Sequence, residues 1–242
     1  MKFRPRKIFS SAASILFRFA VGFALFSFTL VLLFRFVHPP LSMFMVDQKI
    51  ASMAGSGNGF HIRYQWVDLK DISPFMPLAV MASEDQGFSR HFGFDFSAIF
   101  KAIKNNIGHP RHIRGASTLS QQTAKNLFLW PERSYLRKGL EAWFTVLIEL
   151  FWPKKRIIEV YLNIAEFGEG IYGVSAASQS FFNRPPKKMT PIQASLLAAV
   201  LPSPRKYNAG EPSPFVYERS EWIEEQMEQM GGLPAVEEFI GK

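Results

Sequence analysis

The longest apolar run in the chain, Phe19 to Phe34, contains nothing more polar than serine and threonine, and it extends outward through Ile15, Leu16 and Phe17 on one side and Phe36 and Val37 on the other. The uninterrupted core of 16 residues is short for a bilayer span. Arg18 and Arg35 can lay their stems along the apolar surface and carry their charges to the interfaces, which lengthens the segment to about 20 residues, enough for a hydrocarbon layer of ~30 Å. A single span over residues 15–37 is expected. Phe36-Val37-His38-Pro39-Pro40 offers no small-x-small cleavage site, so an uncleaved anchor is favoured over a signal peptide.

Beyond the span the pattern changes period. His61 to Val67 alternates polar and apolar residues as a half-buried strand does, after a glycine-rich connector that ends near residue 60. The remaining segments follow helical spacing. Ser73-Pro74 reads as an N-cap and first-turn proline for a helix through Leu78 and Ala82, with Gly87 as its terminator. Further helices are predicted over Asp95–Lys104, Ser117–Leu129, Ser134–Phe151 and Pro153–Ala165, and at 172–182, 190–200 and 215–230. The polar stretch Asn105–Arg114 is a candidate lid, and 202–214 a surface connector. The fold is therefore mainly α, with residues 1–14 as a basic N-terminus, 15–37 as anchor, 38–60 as connector and 61–242 as one helical domain.

Charge sharpens the membrane reading. The formal charge of +8 suggests nucleic acid until it is located: Lys2, Arg4, Arg6, Lys7, Arg18 and Arg35 precede the first acid, Asp47, and the other 22 basic residues nearly balance 20 acidic ones. Basic residues before a span stay on the cytoplasmic side, which places the domain across the membrane; nucleic acid is not an expected partner. With no cysteine, thiolate metal sites and thiol nucleophiles are excluded, and the histidines show no zinc spacing.

Two carboxylates stand in apolar surroundings. Glu84, followed by Asp85, ends an apolar helix, and Glu141 lies inside Leu140–Ile148, apolar on nearly every face. A buried glutamate must be paired, hydrogen-bonded or neutral; Arg137 and Lys138 stand one turn before Glu141, where an ordinary helix ion pair is the plainer alternative. Gln121, Gln122, Lys125 and Asn126 form i,i+4 rows of donors on one helix, a solvated face unless sugars or phosphates use them, and Arg133 and Arg137 add guanidinium forks suited to a diphosphate. Two motifs are decoys. Gly168-x-Gly170-x-x-Gly173 follows a helix and lacks a βαβ context, and Ser203-Pro204-Arg205-Lys206 has no accompanying KTG or KSG, so neither nucleotide binding nor a transpeptidase domain is expected.

Taken in order, five blocks resemble the bacterial peptidoglycan glycosyltransferase family: Glu84-Asp85-x-x-Phe88-x-x-His91-x-Gly93; Gly115-Ala116-Ser117-Thr118-Leu119-Ser120-Gln121-Gln122-x-x-Lys125-Asn126; Arg137-Lys138-x-x-Glu141, continuing to Tyr161-Leu162-Asn163; Gly168-x-Gly170-x-x-Gly173-Val174; and Leu196-Leu197-Ala198-Ala199. Departures are Gln193, where Glu is usual, and Pro153, where Ser or Thr is usual. The resemblance implies a two-lobed, lysozyme-like helical domain whose smaller lobe meets the bilayer, and Phe92, Phe94, Phe96 and Phe100 serve either that surface or the core.

The resemblance also implies a reaction. Lipid II and the growing glycan chain are the substrates, Glu84 is the general base, Glu141 has a secondary catalytic role, and Asp85, Ser117, Thr118, Gln121, Gln122, Lys125, Asn126, Arg133, Arg137 and Lys138 contact substrate. A magnesium or manganese ion held by Glu141 is one way that residue could act; orienting Arg137 and Lys138 is the other. No organic cofactor is expected. The location implied is the bacterial inner membrane with the catalytic domain periplasmic, beside other cell-wall synthesis and division proteins. A lysozyme-like hydrolase and an inactive anchored scaffold are the rival readings.

Overall fold

The computed structural model describes residues 5–56, 61–100 and 117–240. The proposed lid at 105–114, the Gly115-Ala116 start of the second block and the end of the helix expected to reach Lys104 lie outside these residues.

The apolar run is the C-terminal part of helix α1 (Pro5–Phe36), in which Ala13–Phe36 has a mean hydropathy of 2.2 and few of its residues are buried by the protein. At 1.5 Å per residue a segment of 24 residues is about 36 Å long, enough to span a bilayer. The segment read as a connector contains a helix: Ser42 accepts from the Met45 backbone N–H and starts α2 (Met43–Ala51), which buries Met45. The chain then passes through a π-helical turn, Ser52–Ser56.

The strand expected over 61–67 is reduced to β1 (Arg63–Tyr64). Its partners were not predicted: β1 pairs in parallel with β3 (Ile171–Tyr172), which pairs antiparallel with β2 (Glu166–Gly168). The rest of the segment is held by a side chain. Asn163 donates to the Val67 carbonyl and accepts from the Val67 N–H, both at 2.9 Å, so one amide completes a strand-like pairing without a strand. The GxGxxG decoy also has a backbone explanation: Gly173 has φ +79, and a Cβ there would sit 2.5 Å from the Asn163 carbonyl oxygen.

Helix α3 (Phe75–Glu84) is buried from Met76 to Ala82. Ser73 does not cap it as expected; its hydroxyl donates to the Met189 carbonyl, and Pro74 occupies the N-cap position. Nor does Gly87 end it. The helix stops at Glu84 because Asp85 turns away (φ −160, ψ 76) to reach other partners. Helix α4 is described over 96–100. Then follow α5 (Leu119–Phe128), α6 (Tyr135–Phe151), α7 (Lys154–Ile164), α8 (Gly173–Phe182), α9 (Pro191–Val200), α10 (Pro214–Gln229) and α11 (Gly232–Ile240).

The helices form two groups sharing one hydrophobic core. In one, α9 packs against α3 and α10, with α11 against α3; in the other, α5 packs on α6 and α7, and α1 lies along α6. The two departures from the family pattern are absorbed locally. Gln193 completes a capping box with Thr190 at the start of α9, the position where Glu would act in the same way. Pro153 begins α7 without a side-chain cap, and its carbonyl accepts the Arg156 and Ile157 N–H groups.

Anchor and domain are joined by named hydrogen bonds. Trp143 Nε1 donates to Ser27 Oγ at 3.0 Å and Trp152 Nε1 to the Val31 carbonyl at 2.8 Å. Arg156, 8% exposed, donates to the carbonyls of Phe34 and Val37, the last of α1 and its continuation, which lack helical partners of their own. Edge-on packing of Phe28 against Phe151 adds to this seam.

Candidate active site

The N-terminus of α5 is the junction of the site. Thr118 and Gln121 form a reciprocal capping box, and the Thr118 hydroxyl also donates to the Gly93 carbonyl at 2.7 Å. Asp85 accepts the Leu119 backbone N–H at 2.9 Å and lies 2.8 Å from His91 Nε2. A carboxylate aimed at a helix N-terminus is stabilised by the free N–H groups and the helix dipole. Asp85 thus ties the end of α3 to the start of α5, and that tie places Glu84 opposite the polar row of α5.

Glu84 accepts from Gln122 Nε2 at 3.0 Å, while the Gln122 amide oxygen accepts from the Tyr161 hydroxyl at 3.2 Å. The phenol is a donor here, because burial and the nearby Glu84 charge raise its pKa well above the usual value. Since the amide oxygen faces that donor, the amide NH2 must face Glu84. Arg219 of α10 stands 3.8 Å from the other Glu84 oxygen. Burial raises the Glu84 pKa above the ordinary glutamate value, and the neighbouring Asp85 charge adds to this; the Gln122 hydrogen bond, Arg219 and Lys125 oppose it. A carboxylate held in this way is a stronger proton acceptor than an exposed one.

Glu84 lines a cavity of about 320 Å³ with Ser83, Asp85, Ser117, Thr118 and Trp222. A second cavity, of about 210 Å³, is lined by Ser117, Gln121, Gln122, Lys125, Arg133, Arg137, Lys138 and Glu141. Ser117 borders both, and Gln122 reaches from the second to Glu84, so the carboxylate and the cationic group line adjoining cavities.

In the cationic cavity Glu141, 3% exposed, accepts from Arg137 Nη1 at 3.0 Å and from Lys138 Nζ at 2.5 Å, one partner for each oxygen. Arg137 Nε is buried without a hydrogen-bond partner among the described residues, an unspent donor beside the cavity. Burial lowers the Lys125 pKa, as do Arg137 and Lys138, against the opposing pull of Glu141 and Glu84. Divalent ions need open oxygen ligands. Both Glu141 oxygens are engaged by cations, and no cluster of three acidic or histidine side chains occurs among the described residues, so these residues do not fit the magnesium or manganese ion considered for Glu141.

The structure therefore gathers Glu84, Ser117, Gln122, Lys125, Arg133, Arg137, Lys138 and Glu141 around two adjoining cavities. Thr118 and Gln121 form part of their walls while serving the cap, and Asp85 lines the first while bound to His91 and Leu119. Asn126 lines neither cavity, and its amide oxygen is buried without a partner among the described residues. Phe92, Phe96 and Phe100 are exposed rather than core residues.

Three contributors escaped the sequence reading. Arg219 and Trp222 come from α10, an ordinary amphipathic helix by pattern. Glu149, two turns beyond Glu141 in the same apolar helix, is buried and accepts from Ser120 and from Lys154, the latter at 2.7 Å. The criterion that found Glu141 applies equally to Glu149, which ties α5 to α6 through Ser120.

Comparison with known proteins places these features in context. The Transglycosylase family matches residues 51–228. A biosynthetic peptidoglycan transglycosylase of Xylella fastidiosa (strain 9a5c) is 53% identical over 211 residues, covering 86% of both chains. One from Xanthomonas campestris pv. campestris (strain B100) is 50% identical over 210 residues, covering 87% of this chain and 85% of its own. One from Salmonella enteritidis PT4 is 51% identical over 218 residues, covering 90% of each.

Proposed function

Because the chain belongs to the transglycosylase family, it is a peptidoglycan glycosyltransferase of lysozyme-like helical fold, and we propose that it extends glycan strands on lipid II with Glu84 as the proton acceptor. The observation that carries this assignment is the Gln122 side chain, which lines the cationic cavity and donates to Glu84.

The acceptor lipid II enters the cavity beside Glu84 with its sugar 4-hydroxyl toward the carboxylate. As oxygen attacks the anomeric carbon of the growing chain, Glu84 takes its proton and the bond to undecaprenyl diphosphate breaks with inversion. A hydroxyl is a poor nucleophile at neutral pH, and a base within hydrogen-bond reach removes that barrier. The Tyr161–Gln122 pair holds the carboxylate in place. Negative charge grows on the leaving diphosphate, and Lys125, Arg133 and Arg137 stabilise it from positions set before the reaction. Glu141 keeps Arg137 and Lys138 together against their mutual repulsion and so acts as a positioning residue. A divalent ion has no assigned step.

Helix α1 anchors the enzyme in the bacterial inner membrane with its basic start in the cytoplasm and the domain in the periplasm, where the exposed Phe92, Phe96 and Phe100 face the bilayer. Other cell-wall synthesis and division proteins are its proposed neighbours. Incubation of the purified full chain with lipid II tests the reaction: polymer and undecaprenyl diphosphate are expected, with inhibition by moenomycin. Release of soluble fragments from intact glycan, without polymer, would instead identify a hydrolase.

A further inference from the structure

A third cleft, of about 380 Å³, lies where the end of α1 meets the start of α7. None of its lining residues borders either cavity of the active site. Among the described residues, Arg35, Lys70, Lys155 and Arg156 bring four cations to it, against one carboxylate, Glu159. That carboxylate is already engaged: it accepts from Arg156 Nη1 and from the Leu69 backbone N–H. Arg156 is spent as well, on Glu159 and on the carbonyls of Phe34 and Val37. Lys70 is 3.4 Å from Asp68, just outside the cleft. Arg35 and Lys155 form no ion pair among the described residues. Two cations already paired with carboxylates thus frame the cleft, and two without a carboxylate remain to meet a ligand, Arg35 lying 5.3 Å over the Phe36 ring.

We propose that this cleft binds the headgroup of an anionic phospholipid. Its place relative to the anchor selects a lipid over a soluble anion. Arg156 fixes the cleft to the last carbonyls of the apolar helix, and Phe36 and Val37, both exposed, adjoin Arg35 at the edge of the apolar zone. A phosphodiester between Arg35 and Lys155 would leave its acyl chains along the exposed apolar face of α1, where Phe26, Leu33 and Phe36 are open. Leu69, Pro153 and Ile240 supply apolar walls for the glycerol. Lys and Arg side chains held near a bilayer surface attract anionic headgroups by charge. The consequence is a lipid that seals the joint between anchor and domain.

The inference rests on α1 lying in a bilayer, and its test separates the two. The full chain is placed in nanodiscs of phosphatidylcholine with a minor fraction of phosphatidylglycerol, and lipids retained on the released protein are counted by native mass spectrometry. Insertion of every variant into nanodiscs reports on the anchor alone. The native chain should retain phosphatidylglycerol in preference to phosphatidylcholine, and Arg35→Gln/Lys155→Gln should lower that retention by about fivefold or more. The charge-preserving Arg35→Lys/Lys155→Arg should keep most of it, as should Arg184→Gln/Lys188→Gln, which removes the same charge outside the cleft. Equal retention of the two lipids, no loss in the first variant, or an equal loss in the Arg184/Lys188 control overturns the proposal. Displacement of the lipid by millimolar inorganic phosphate also overturns it and identifies a simple anion site.

Discussion

Glu84, largely buried with a side chain 17% exposed, and Glu141, with one 4% exposed, line adjoining cavities, yet their surroundings give them opposite tasks. Glu141 has a cation on each oxygen, at 3.0 and 2.5 Å, and so organises positive charge. Glu84 has a neutral amide on one oxygen and an arginine only at 3.8 Å from the other, so burial dominates and its proton affinity rises. The difference lies in the first partners, not in the residue type. A carboxylate meant to exchange a proton is kept from close cations, and one meant to hold cations is surrounded by them.

The sharpest way to break this contrast is to neutralise each carboxylate in turn. Glu84→Gln should reduce lipid II polymerisation by roughly 10²–10⁴-fold, the usual worth of a positioned general base, while lipid II binding persists. Lys125→Ala should cost on the order of 10²–10³-fold in turnover if it stabilises the leaving diphosphate. Because burial and its cationic neighbours lower the Lys125 pKa, the native activity should also decline in alkali before an ordinary lysine would lose its proton. Glu141→Gln should have a smaller effect, about tenfold, by leaving Arg137 and Lys138 to repel each other. Excess magnesium should not restore it, and a recovery with magnesium would give Glu141 a metal-binding task instead. The smallest effect is expected at Trp222, which is 43% exposed in the Glu84 cavity and offers an aromatic face to a sugar. Trp222→Ala should raise KM for lipid II a few-fold with little change in kcat, measured by initial rates.

Sequence pattern went further with helices than with their junctions. The apolar anchor and most of the helices were legible because 10 to 20 residues of periodic burial leave a long signal. Strands β1 and β3 have two residues each, too few for alternation to register, and the Asn163 amide that replaces strand pairing lies about a hundred positions from Val67. Helix α2 lies within the segment read as connector, although Ser42 before an apolar run is an N-cap signal, because nine residues carry only a short periodic pattern. At the site, Arg137, Lys138 and Glu141 share one helix, so their contact follows from i,i+3 and i,i+4 spacing. The pairing of Glu84 with Gln122, and the approach of Arg219, depend on how α3, α5 and α10 pack, which no local pattern encodes.

The central claim, that Glu84 takes up the proton and that its surroundings set when it can, is tested most directly by the acid limb of the pH–rate profile on lipid II. The native limb should lie above the ordinary glutamate range, since burial raises the Glu84 pKa and the base works only when deprotonated. Removing the opposing charge in Arg219→Gln should move the limb higher still, and the residual rate of Glu84→Gln should show no such limb. An acid limb that stays in place in Arg219→Gln and persists in Glu84→Gln would mean that another group accepts the proton.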